Sequence, residues 1–128
     1  MLTSEIKNKI IEGALDCTFA ELYGSARVHS ARERYASAID EFIKLYGESE
    51  ASVFSVSGRS ELSGNHTDHN RGKVIAASID LDVIAVASQT SDGIVRLKSE
   101  GFPADTVDLN TYTSPVKERF GSSESIIA

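Results

Sequence analysis

The hydrophobic period of this chain changes once, near residue 47, and that change limits what it can fold into more than any other feature. Before it, apolar side chains recur at three and four residues, as in Ile6, Ile10 and Ala14 and again in Tyr35, Ala38, Ile39, Phe42 and Leu45. That spacing puts each set on one face of a helix. Thr3 or Ser4 can cap the first helix, Glu5 suits its first turn, and Gly13 and Asp16 weaken the pattern. A short second helix over residues 19–23 stops at Gly24, and Ser30-Ala31-Arg32-Glu33 reads as a capping box for a third that Gly47 ends. Beyond residue 47 the pattern is that of strands: 53–56, 81–87, 94–98 and 106–109. The 81–87 run is nearly all apolar, which predicts a strand covered on both faces. Ser91-Asp92-Gly93 predicts a hairpin from that run into 94–98, whose alternation predicts cover on one face only. Residues 1–47 are thus helical and 51–110 mainly strand, an α+β fold with a mixed or antiparallel sheet backed by helices. Ser114-Pro115 breaks whatever precedes it, 116–120 form one helical turn, and the last seven residues read as the start of an apolar helix that is cut off.

Composition excludes several classes. The length of 128 residues suits a single domain with one sizeable core. A net charge of −6 with acids spread along the chain gives no basic stripe for a nucleic acid. The single Cys17 has no internal disulfide partner, the N-terminus has neither the basic start nor the apolar core of a signal peptide, and no apolar run approaches the ~20 residues that span a bilayer. The expectation is a cytoplasmic protein with no membrane partner.

Chemistry is concentrated in one loop, residues 57–73. It holds Arg59, the glycines Gly58, Gly64 and Gly72, and a polar cluster of Asn65, His66, Thr67, Asp68, His69 and Asn70 between two apolar strand-like runs. Polar groups on a loop framed by strands are how many sites are built. His66, Asp68 and His69 supply imidazole and carboxylate, so a metal-dependent hydrolase is one alternative. Against it, adjacent Asp68 and His69 would have to turn toward one ion, and no second cluster adds ligands; the expectation is no metal site. The chain holds no Walker-type phosphate loop.

The spacing of this loop resembles the galactokinase signature, within the GHMP superfamily of small-molecule kinases. The matching residues are Gly58-Arg59, Gly64-Asn65-His66-Thr67-Asp68-His69, Gly72, Val74-Ile75-Ala76 and Ser78-Ile79. Departures are Asn65 for the family's Glu, His69 for its Tyr, Glu61 for its Asn, Ser63 for an aliphatic residue, Ala76 for its Pro, and Ser57 where Pro precedes Gly-Arg. The resemblance implies the N-terminal, sugar-binding portion of a longer kinase. There a monosaccharide, galactose or a relative, is phosphorylated at its anomeric hydroxyl with ATP and Mg²⁺. The phosphate-gripping loop and the catalytic Asp of that family would lie past residue 128, so the chain by itself is expected to be inactive and to self-associate through surface the missing part would cover. Arg59 takes the catalytic position, while Asn65, His66 and Asp68 take those that bind sugar. A non-catalytic sugar sensor is the other alternative, because a fold can keep binding after losing catalysis.

Overall fold

The computed structural model describes residues 1–64 and 72–111. Helix α1 (Thr3–Ile11) opens without a hydroxyl cap, contrary to the expectation for Thr3 or Ser4. Thr3 is instead fully buried, with its N–H on the Ser49 carbonyl, and Glu5 reaches back to accept from the Leu2 N–H at 3.2 Å. Helix α2 (Asp16–Tyr23) ends at Gly24, and a short 3₁₀ turn (Ser25–Arg27) leads into α3 (Val28–Tyr46). That turn explains why Ser30 is not a cap. The helix is already running when it reaches Ser30, whose hydroxyl donates back to the Arg27 carbonyl at 3.0 Å. Gly47, with φ +81°, closes α3 as its position predicts.

Strands β1 (Ser52–Ser63) and β2 (Ile75–Ala87) form a long antiparallel pair. Ile10, Phe19, Ala31, Tyr35 and Ile39 from the three helices make the core, and Val53, Ile84 and Val86 of the strand pair pack against it. Leu45 does not join that face; it is exposed. The prediction of a doubly covered 81–87 strand fails for a simple reason. Ile84 and Val86 turn toward the helices while Leu81 and Val83 on the other face are 71% and 72% exposed, so the run is covered on one side only.

The chain divides into two compact units, Met1–Ser88 and Gln89–Ala128, where its length suggests one domain. In the second, β3 (Ile94–Lys98) pairs antiparallel with β4 (Ala104–Asp108). The hairpin expected between β2 and β3 is therefore absent among the described residues. Ser91-Asp92-Gly93 instead starts β3: the Asp92 carboxylate accepts from the Ile94 N–H at 3.0 Å and from Arg96 at 2.8 Å, and those partners hold its pKa down at about 2. The expected helical turn at 116–120, the Ser114-Pro115 break and the tail lie outside the described residues.

Candidate functional site

Strand β1 runs through the first half of what reads in sequence as a loop, so residues 57–63 are ladder and the connection between strands begins only after Ser63. Gly58 and a run of small polar residues look like loop, yet an exposed strand requires of its residues only that the backbone pair. The pairing is irregular at Gly58. Ser57 faces Asp82 and Arg59 faces Ser78, so β1 advances two residues while β2 advances four, and β2 bulges by two. A Cβ on Gly58 would sit 3.1 Å from the Ile79 side chain and 3.2 Å from the Leu81 carbonyl oxygen, so the bulge closes over a residue without a side chain.

Arg59 follows at once, on an exposed stretch of β1. At the far end of the strand, Gly64 has φ +101°, and a Cβ there would meet the Lys73 carbonyl oxygen at 2.6 Å and the Val74 Cα at 2.8 Å. The two stems of the connection are therefore pressed together at Gly64. Asn65, His66 and Asp68, with His69, lie in that connection and outside the described residues. Among the described residues no group of three His, Cys, Asp or Glu side chains is placed to hold a metal, which leaves the His66, Asp68 and His69 set untouched.

A second polar constellation lies at the base of the strand pair, and sequence reasoning missed it. The Asp82 side chain, only 9% exposed, accepts from the Tyr23 hydroxyl at 2.6 Å, from the Ser55 hydroxyl at 2.5 Å, and from the Arg34 guanidinium. Arg34 also donates to the Asp82 carbonyl at 2.9 Å, and the Tyr23 and Tyr35 hydroxyls lie 2.6 Å apart. Burial pushes the Asp82 pKa up, but the hydrogen bonds from Ser55, Tyr23 and Arg34 outweigh it and bring the group down to about 2. The Tyr23 phenol is pushed well up, first by burial and then by the Asp82 carboxylate that its proton faces. The signal for this cluster was in the sequence, since an acid amid Leu81, Val83 and Ile84 needs partners to be tolerated there. Its partners, on two helices and the neighbouring strand, were not deducible from spacing. Arg27 adds a further tie, to the more exposed Asp80.

The strand pair thus carries a Gly-Arg pair at a bulge and a closed stem at Gly64. Residues 40–89 match the family model described as the galactokinase galactose-binding signature, and the chain is galactokinase-like over that region.

Its relatives are galactokinases. The chain is 38% identical over 78 residues to the galactokinase of Streptomyces coelicolor, 33% over 89 residues to that of Bos taurus, and 31% over 87 residues to that of Homo sapiens. These alignments take in 60%, 70% and 68% of this chain but only 20%, 23% and 22% of the relatives, so the chain spans about a fifth of the length of the curated proteins it matches. No solved structure matches it. No helix among the described residues is long and apolar enough to cross a membrane.

Proposed function

We propose that this chain is the sugar-recognising part of a kinase that phosphorylates galactose, or a close relative, at the anomeric hydroxyl. The observation that carries the reading is the signature match over residues 40–89, with Gly58 and Arg59 set at a strand bulge and the Asn65, His66 and Asp68 connection hung from a closed stem. Asp68 would accept from two vicinal hydroxyls, for which a carboxylate is suited, and His66 would donate to or accept from a third. Arg59, charged at any working pH, would stand beside the reacting hydroxyl and favour its alkoxide character. Asn65 in place of the usual Glu offers a donor as well as an acceptor and is a methylene shorter, so the preference among sugars would shift.

ATP and Mg²⁺ belong to this reading as co-substrate and its metal. A triphosphate is held by a cradle of backbone N–H groups at a helix N-terminus. A cytoplasmic setting is part of the same reading.

The test is a sugar panel on the full-length protein that the gene encodes. Asp68→Asn should cost about 1.5–3 kcal/mol in sugar affinity, because it keeps the shape and loses the charge assistance. Arg59→Ala should lower kcat far more than it weakens sugar binding. Equal losses in both variants together with a lowered Tm would assign both residues to structure alone. Galactose binding without turnover in the unmodified protein would replace the kinase reading by the sensor.

A further inference from the structure

We infer that Asp82 is a positioning residue for Arg59: its carboxylate ties β2 to both neighbouring helices and to β1 at the register pair from which the bulge departs. Asp82 faces Ser57, the residue immediately before Gly58-Arg59, and it is the last in-register residue of β2 before the two-residue excess begins. Such an excess is a soft place in a ladder, because extra residues in one strand can migrate along it by exchanging one set of backbone hydrogen bonds for another. What prevents migration is a side chain fixed at the boundary. Asp82 is fixed from three directions, by Tyr23 of α2, Arg34 of α3 and Ser55 of β1, and Arg34 holds its backbone carbonyl as well.

The same boundary is closed from the other side. The Leu81 carbonyl and the Ile79 side chain sit directly over Gly58, so a shift of β2 by one residue would drive different atoms into the space that Gly58 leaves. Packing alone does not account for an acid here. The neighbouring inward positions of β2 are Ile84 and Val86, which fill the interface without polar partners. An aliphatic residue at 82 would leave the Tyr23 and Ser55 hydroxyls and the Arg34 guanidinium without their shared acceptor and the bulge without a directional tie. The carboxylate instead makes directional bonds, and direction is what fixing a register needs.

The significance for catalysis rests on the reading of Arg59 given above, but the mechanical claim does not, and the experiment separates them. Amide hydrogen exchange is measured on the chain with Asp82→Asn, and with Ser55→Ala as a milder variant that removes the Ser55 hydroxyl from β1 and leaves the Tyr23 and Arg34 bonds to Asp82. The expected result is exchange at residues 57–59 and 79–81 faster by about tenfold or more beyond the rise that lost global stability gives, which residues 39–43 of α3 report. Unchanged exchange at the bulge, or a rise there no greater than that in α3, overturns the inference. Should Asp82→Asn fail to fold, the same two outcomes in Ser55→Ala decide it. In the full-length protein the matching kinetic result is a loss of about tenfold in kcat with KM for the sugar held within about twofold, as a misplaced catalytic group gives; kcat unaltered in a variant whose bulge has loosened, or a matched change in kcat and KM, overturns it as well. If the unmodified protein turns over no sugar, the proposed function fails while the exchange result still decides whether Asp82 holds the bulge.

Discussion

Gly64 and Gly47 show how differently two glycines of positive φ are constrained. Both have positive φ, +101° and +81°, but a Cβ on Gly47 would meet nothing within 4 Å whereas on Gly64 it would strike the backbone of Lys73 and Val74. Gly47→Ala should therefore cost about 1 kcal/mol from backbone strain alone. Gly64→Ala adds a clash that only a moved strand relieves, and should cost roughly 2–4 kcal/mol in all. Urea denaturation of the two variants side by side checks the order; equal midpoints would mean that the stem opens at little cost. Such distinctions were partly legible. The pattern placed Gly58 and Gly64 beside the candidate site residues, but what a Cβ on each would meet depends on where the partner strand lies. Arg59 was singled out through its spacing from His66-Thr67-Asp68, while the bulge beside it appears only once Asp82 is seen to face Ser57 and Ser78 to face Arg59.

Among the elements, the helices were legible because each has an apolar period and a glycine stop, and the errors fell on caps and strand partners. Local signals at Ser30 were overridden by the turn that precedes it, and the partner of β3 depended on contacts distant in sequence. The junction of α2, α3 and the strand pair carries a pH dependence whose direction follows from Asp82. Its folded pKa, about 2, lies below its ordinary 3.8, so the native state binds the proton less readily than the unfolded chain. Its contribution is complete above the unfolded value and is lost as pH falls from near 4 toward 2. At pH 7 Asp82→Asn should be less stable than the parent by about 1.5–3 kcal/mol, and the gap should close as the solution is acidified through that window. Denaturant melts of both proteins at a series of pH values test this. A gap independent of pH would mean that the amide's shape, not the missing charge, is responsible.

Across the whole molecule the outward face of the strand pair is the most exposed apolar surface described: Phe54, Val56, Leu81 and Val83 are 53%, 67%, 71% and 72% exposed, and register sets Phe54 opposite Ala85 and Val56 opposite Val83. Surfaces of this kind promote association. The chain of 128 residues should sediment as a concentration-dependent mixture, and Val56→Lys with Val83→Glu should restore a monomer. A single monomeric species of the parent chain at high concentration would count against that. The closed stem at Gly64 has a different consequence, for how such a site can change. The strands beneath already bring the ends of the connection from Gly64 to Lys73 together. Its closure cost grows only with the logarithm of its length, about 0.6 kcal/mol for each doubling. Added residues there would therefore carry little closure cost, while the ladder that holds Arg59 fixes where the two ends stand.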